Sequence, residues 1–233
     1  MTTPDWREEA KRKAAFQAAK LVNDNSVIGL GSGSTAALVI EELGRRVSSE
    51  KLRVLGVPTS YQAALAAAKA GVPLTSLDEH PVLDLAIDGA DQVDRAWNAI
   101  KGGGGCLTRE KIVASAAREF VVVVDGEKMV ETLGQNRPVP VEVLPFAVTP
   151  VLKRLEQMGA SPVLRTSGGK VGPTVTDNGN FILDADFGPI RDVRALEARV
   201  KMTPGVVEVG LFSEMIDRLI VGSRDGVRVY TRA

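Results

Sequence analysis

Lys101, Glu110 and the four glycines that follow the lysine, Gly102 to Gly105, are the residues of this chain best suited to chemistry. A glycine run carries the highest backbone-entropy cost of any short segment. A compact protein keeps one where something must lie directly against bare backbone amides. Amides at a helix start, with a lysine on one side and a carboxylate on the other, suit an anionic or oxyanion-forming substrate. Glu110 also has a plain reading, as a first-turn carboxylate that the helix macrodipole favours by a fraction of a kcal/mol. That reading explains the glutamate but not the glycines, and the same dipole favours the ionised form a general base needs. Lys101 reads either as a solvated loop lysine or as a functional cation; the aspartates and anion site described next favour the second. Arg109 and Lys111 are expected to stay in water, and Cys106 to be a small packing residue.

Three further segments carry polar chemistry. Gly29-Leu30-Gly31-Ser32-Gly33-Ser34-Thr35 lies between an expected strand and an expected helix. Small residues there let Ser32, Gly33, Ser34 and Thr35 close backbone N–H groups and hydroxyls around a phosphate at the positive end of the helix. A dinucleotide site would want glycine where Ser34 stands and an acid after the second strand, which instead ends Leu55-Gly56-Val57-Pro58. Anion binding is therefore the reading, with a ligand-free glycine turn as the alternative. Asp88-Gly89-Ala90-Asp91 follows a strand, where an open parallel sheet turns side chains into its ligand crevice. Asp88 and Asp91 either hold hydroxyls and move protons, form a solvated Asx-type turn, or supply half of a magnesium site. Asp94, in the same acidic run, is expected to be exposed. Lys128 also sits past a strand end, as a surface lysine or as a point-charge partner for phosphate.

The elements that must position these segments alternate in the first half of the chain. Thr3-Pro4 reads as an N-cap and first helical residue, opening a helix with Trp6, Ala10, Ala14 and Leu21 on one face. Strands are expected at 26–30, 52–57, 82–87 and 121–124, and helices at 36–47, 61–70 and 108–120. Alternation with continuous apolar strands means a parallel sheet covered on both faces. Beyond Gly134 the order becomes strand 139–144, helix 149–158, strand 162–165, strand 181–185, helix 192–200 and strand 206–212. Asp177-Asn178-Gly179-Asn180 is a hairpin turn signal, and the order βαββαβ is the ferredoxin-like split motif. A last hairpin, 219–223 and 227–231 around Arg224-Asp225-Gly226, is expected to return to the first sheet. The second domain therefore reads as an insertion.

Composition narrows the function classes. Lys plus Arg and Asp plus Glu number 29 each in 233 residues, and no basic run or basic-aromatic interleaving appears, which argues against nucleic acid. Met1 to Lys13 is charged rather than apolar, so no signal peptide is expected. The longest apolar runs fall far short of the ~20 residues of a membrane span. Cys106 is the only cysteine, which excludes an internal disulfide and fits a reducing cytosol. His80 is the only histidine and sits in a polar turn, so two-histidine metal sites and a Ser-His-Asp triad have no basis. Proton transfer at neutral pH then falls to Asp, Glu or Lys.

Together these segments resemble the type A ribose-5-phosphate isomerase family. The resemblance rests on Gly-Ser-Gly-Ser-Thr at 31–35, Asp-Gly-Ala-Asp at 88–91, Lys-Gly-Gly-Gly at 101–104 and Leu-Thr-Arg-Glu-Lys at 107–111. Thr-Asp-Asn-Gly-Asn at 176–180 and Pro-Gly-Val-Val at 204–207 extend it over nearly the whole chain. It implies an α/β fold: a Rossmann-like catalytic domain over 1–133 and 213–233, with an inserted ferredoxin-like α+β domain over 134–212. It implies interconversion of D-ribose 5-phosphate and D-ribulose 5-phosphate through an enediolate, in the non-oxidative pentose phosphate pathway. It further implies a cytoplasmic homo-oligomer, a homodimer, with no metal and no organic cofactor. Carried over residue by residue, Glu110 shuttles the proton, and Asp88, Asp91 and Lys101 complete the catalytic set. Ser32 to Thr35 and Lys128 hold the phosphate end, while Gly89, Ala90 and Gly102 to Gly104 line the substrate; Lys11 corresponds to a further basic contact. The chain departs at Gly105-Cys106, where many members have two alanines, and at Pro58-Thr59-Ser60-Tyr61, which replaces a more serine-rich turn. A non-catalytic sugar-phosphate sensor would need the anion loop but not Glu110 and Lys101; a nicotinamide-dependent reductase is the third reading.

Overall fold

The computed structural model describes residues 6–169 and 171–232; the Thr3-Pro4 helix start lies outside them. In chain order the first elements are α1 (Trp6–Ala19), β1 (Ser26–Leu30), α2 (Gly33–Glu50), β2 (Val54–Pro58), α3 (Tyr61–Ala70) and β3 (Leu85–Asp88). Next come β4 (Gln92–Val93), β5 (Ala99–Ile100), α4 (Leu107–Ala116), β6 (Phe120–Asp125), β7 (Val139–Val143), α5 (Val148–Gln157) and β8 (Ser161–Leu164). The chain continues with β9 (Phe181–Asp186), α6 (Val193–Lys201), β10 (Val206–Val209), β11 (Leu211–Phe212), β12 (Arg218–Ser223) and β13 (Gly226–Thr231). No helix among the described residues is long and apolar enough to cross a membrane.

The residues form two compact units. The first comprises residues up to Ala90, Arg109–Met129 and Met215 onward. Its six-stranded sheet runs β2-β1-β3-β6-β12-β13, parallel throughout except for the β12–β13 hairpin. All six residues of β6 are buried, and its central Val121–Val124 run is the β-branched, two-sided pattern that parallel sheets require. Helix α1 offers a face of buried alanines, Ala10, Ala14, Ala15, Ala18 and Ala19. It lies so close to β12 that a Cβ on Gly222 would stand 2.3 Å from the Ala10 carbonyl oxygen. Helix α3 ends on Gly71 in the left-handed conformation, φ 76°, whose N–H closes back on Ala67 and Ala68. The chain leaves β1 toward β2 and returns on its other side at β3. That reversal is the topological switch point where open α/β sheets place ligands.

The second unit comprises Asp91–Thr108 and Val130–Glu214. Its four-stranded sheet runs β10-β7-β9-β8 with every neighbour antiparallel, the 4-1-3-2 order of a ferredoxin-like domain. Val151 and Leu155 of α5 and Val193 and Val200 of α6 pack with Val139, Val141 and Val143 of β7 in one core. A small sheet, β11-β5-β4, belongs to the same unit. The fold is thus a Rossmann-like parallel-sheet domain with an inserted ferredoxin-like α+β domain.

Two details differ from the sequence reading. The strand expected over 206–212 breaks at Gly210, whose N–H donates to Pro140 O at 2.7 Å while its carbonyl accepts the Lys101 N–H at 2.8 Å, an approach so close that a Cβ there would meet those two carbonyls at 2.9 and 2.3 Å. The chain passes at that glycine from β10 in the large sheet to β11 in the small one. The stretch 91–108, read as part of the first domain, groups with the second unit. The cause is pairing of β5 with β11, reinforced by Val130 N–H donating to Val93 O at 2.9 Å.

Candidate active site

In the first unit the site grows from the ends of β1 and β3. Asp88 closes β3 and is 3 % exposed. Its Oδ1 accepts the N–H of Ser32 at 3.0 Å and of Gly89 at 2.7 Å. The carboxylate fills the place a side chain at 31 would take, since a Cβ on Gly31 would stand 2.2 Å from Asp88 Oδ1. Ser32 precedes α2 as its N-cap but makes no capping bond with its side chain. Its hydroxyl instead donates to Ser60 Oγ at 2.6 Å and lies 2.7 Å from Thr59 Oγ1. Thr59 in turn donates to Leu30 O at 3.0 Å, and Ser60 caps α3 by accepting from Ala63 N–H at 3.0 Å. Gly33 N–H donates to Gln62 Oε1 at 3.0 Å, while Ser34 is exposed and Thr35 half-buried at the opening turn of α2. The first N–H groups of a helix have no intrahelical acceptor, and Gln62 takes that of Gly33.

Glu110 is the fourth residue of α4 and 6 % exposed. Helix α4 approaches β1 closely because residue 29 is glycine: a Cβ there would stand 2.4 Å from Val113 Cγ1. Glu110 and Asp88 consequently border one small closed gap with Gly31 and Thr59. Lys128 is half-buried in the single 3-10 turn after β6, which Asp125 caps by accepting from Glu127 N–H at 3.0 Å. Lys11 is ion-paired with Glu8 on its own helix at 3.0 Å. Arg109, expected in water, lies with Cζ 5.2 Å from the Tyr61 ring centroid, a stacking that withdraws part of the guanidinium from solvent.

The second unit holds the remaining predicted residues. Lys101 is 2 % exposed, its N–H donates to Gly210 O at 2.8 Å, and its Nζ stands 5.4 Å from the Phe212 ring centroid. Asp91 Oδ2 accepts the Gly103 N–H at 2.7 Å, and a Cβ on Gly103 would lie 2.6 Å from Asp91 Oδ1. Gly104 has open space where a side chain would stand. Asp94 is 8 % exposed rather than solvated, because it accepts both the backbone and the side-chain N–H of Asn98 at 2.9 Å. Among the described residues no group of three or more His, Cys, Asp or Glu side chains is placed to hold a metal ion.

The sequence model of the ribose 5-phosphate isomerase A (phosphoriboisomerase A) family matches residues 55–226. A curated relative, the ribose-5-phosphate isomerase A of Methanothermobacter thermautotrophicus, is 54% identical over 219 residues, 94% of this chain and 96% of that protein. The chain belongs to the ribose 5-phosphate isomerase A family. Among solved structures, the family member from Methanocaldococcus jannaschii matches with a TM-score of 0.93 and 48% identity, covering 97% of this chain and 99% of that one. A D-ribose-5-phosphate isomerase in complex with phospho-erythronic acid matches at 0.95 and 45%, with the same coverage.

The family motifs fall on both units. Ser32, Asp88, Gly89 and Glu110 gather in the first, and Asp91, Lys101 and Gly102–Gly104 in the second. Four residues that touch these groups escaped the sequence reading. Thr59 and Ser60 hold the Ser32 hydroxyl. Arg165 donates to the carbonyls of Gly102 and Gly103 at 2.9 and 3.1 Å. Glu142, fully buried, accepts from Thr176, Asn178 and Asn180 at 2.8, 3.0 and 2.8 Å and also from Thr108 in the opening turn of α4. The signal for that last cluster was present in Thr-Asp-Asn-Gly-Asn, which reads from sequence as a hairpin turn and a family motif but not as a set of partners for Glu142.

Proposed function

We propose that this protein interconverts D-ribose 5-phosphate and D-ribulose 5-phosphate as a metal-independent aldose–ketose isomerase working through an enediolate. The observation that carries this reading is the burial of Glu110 and Asp88 around one closed gap beside the turn Ser32–Thr35, at the switch point of the sheet. Its relatives, named ribose-5-phosphate isomerase A at 54% and 52% identity, supply the substrate.

In this scheme the turn Ser32–Thr35, with Lys128, receives the phosphate. Asp88 accepts the anomeric hydroxyl proton while the Lys101 ammonium protonates the ring oxygen, which opens the furanose. Glu110 then removes the proton from C2 of the open aldose, leaving a negative charge on O1 that shifts to O2 as the O2 hydroxyl proton passes to O1. Lys101, its proton regained from solvent after ring opening, and the amide of Gly104 stabilise that charge. Glu110 returns the proton to C1, and the ketose results. Asp91, Gly89 and Ala90 bind the sugar hydroxyls. An oxyanion donor of this kind contributes about 10²–10³-fold in rate. Assembly as a homodimer, a cytoplasmic location and a place in the pentose phosphate pathway rest on the family resemblance alone.

Purified protein mixed with ribose 5-phosphate and a chelator is expected to form ketose. Glu110→Gln is expected to lower kcat by about 10²–10⁴-fold, the range for a well-placed general base, with KM and folding nearly unchanged. Wild-type turnover in that variant would remove Glu110 from the mechanism. Absence of turnover in the unmodified protein, with ribose 5-phosphate still raising the thermal midpoint, would leave a sugar-phosphate sensor instead.

A further inference from the structure

A glycine run has no side chains with which to fix its own peptide planes. In this chain the turn's own bond, Gly105 N–H to Gly102 O at 2.9 Å, is joined from outside by Arg165, which follows β8. Its Nε and Nη2 donate to the two carboxylate oxygens of Asp184 on β9, at 2.8 and 2.5 Å. Its Nη1 donates to the carbonyls of Gly102 and Gly103, 63 and 62 residues earlier in the chain. The pair is largely shielded, with side-chain exposures of 16% and 24%. An ion pair between neighbouring strands would need only the first two bonds.

The other two have a geometric consequence. A trans peptide points its N–H opposite to its C=O, and no described peptide is cis. Holding the Gly102 carbonyl therefore turns the Gly103 N–H away from Arg165, and that N–H meets Asp91 Oδ2 at 2.7 Å. Holding the Gly103 carbonyl turns the Gly104 N–H away in the same manner, at the residue with open space around it.

We propose that Arg165, oriented by Asp184, is a positioning residue for the isomerisation: it sets the peptide planes of Gly102–Gly104 so that one amide fixes Asp91 and the next faces the developing oxyanion. The proposal rests on the isomerase reading above. A guanidinium serves because its planar fork engages a carboxylate and two carbonyls at once, which a lysine ammonium cannot reproduce.

The test combines Arg165→Ala and Arg165→Lys with two independent measurements. In steady state, Arg165→Ala is expected to lower kcat by about 10²-fold, the scale of a small misplacement of catalytic groups, while KM for ribose 5-phosphate moves less than twofold. Affinity for phospho-erythronic acid, the compound held by a solved relative, should fall in parallel with kcat because its carboxylate carries a charge like that of the enediolate. Arg165→Lys is expected to restore the thermal midpoint without restoring kcat. In the second measurement, backbone amide exchange by NMR, Gly103 should exchange faster in Arg165→Ala while the amides of β1 and β3 keep their rates. An unchanged kcat in Arg165→Ala, or full recovery of kcat together with the midpoint in Arg165→Lys, would overturn the proposal. If the unmodified protein shows no turnover, the isomerase reading falls, and the Gly103 exchange rate decides the positioning claim alone: acceleration upholds it and an unaltered rate overturns it.

Discussion

The two glycine segments of this protein use the same residue in contrasting ways. In the first unit, Gly31 yields its side-chain volume to the Asp88 carboxylate, and the oxygen that enters is held by the amides of Ser32 and Gly89. Everything needed lies within two adjoining strand ends. In the second unit, Gly102–Gly105 is hemmed in by residues from elsewhere in the sequence: Asp91 at Gly103, Leu107 and Pro140 at Gly102, Ile182 at Gly105, and Arg165 on the carbonyls. A parallel sheet builds a polar site out of its own backbone termini. A glycine run, at about 0.5–1 kcal/mol of lost chain entropy per residue relative to alanine, has to be ordered by a neighbouring framework.

The contrast predicts unequal costs for equal substitutions. Neither Gly31 nor Gly103 lies in the left-handed region, so alanine at each tests space alone. A Cβ on Gly31 would meet Asp88 Oδ1 at 2.2 Å, Cγ at 2.3 Å and the backbone Cα at 2.6 Å, so the end of β3 itself has to move. Gly31→Ala is expected to lower kcat by at least about 10²-fold through displaced groups. It should also lose about 1–3 kcal/mol of stability to overpacking, read by urea denaturation.

Gly103→Ala is the milder case. All three close atoms there, at 2.6, 2.9 and 3.0 Å, belong to the Asp91 carboxyl group, which relieves the clash by rotating. That rotation breaks its bond to the Gly103 amide, so kcat should fall about tenfold. The fold should stay within about 0.5 kcal/mol, as for substitutions away from a packed core. Equal losses in the two variants would mean that the segments are built alike and that the contrast fails.

The same contrast explains which parts were legible in the sequence. The turn after β1, the acidic turn after β3 and α4 are read from local order, strand then small residues then helix, and the structure has them there. The ferredoxin-like order was legible for the same reason, since periodicity and turn signals are local. What escaped depends on bonds across long separations. Arg165 is an ordinary arginine until β8 pairs with β9 and brings it to the glycine carbonyls. Glu142 alternates like any strand residue, and only the fold buries it against Thr176, Asn178 and Asn180. Asp94 is a local exception: it looks like part of an acidic run, yet its partner Asn98 lies only four residues on, across the β4–β5 hairpin turn. Gly210 looks like strand interior, and only the crossing of two carbonyls shows why the strand stops there.

The smallest effect sharpens the first-unit side of the comparison, because it separates hydroxyl support from backbone support. Ser60 is 2 % exposed and has two duties: it accepts the Ala63 N–H as the cap of α3, and it accepts the Ser32 hydroxyl at the anion turn. Ser60→Ala removes both bonds but leaves Asp88 with its two amides. The cap accounts for about 1 kcal/mol, so the unfolding free energy read by urea denaturation should drop by that amount while kcat stays near wild type. KM should rise, because the Ser32 side chain loses one of the two hydroxyl partners that fix its rotamer. Ser32→Ala tests the same contact from its other end. In the double variant the KM effects should combine with a coupling of at least about 0.5 kcal/mol, the mark of residues in direct contact. Strict additivity would show that the hydroxyl chain through Ser60 carries no part of anion binding, leaving the backbone of the turn to account for it.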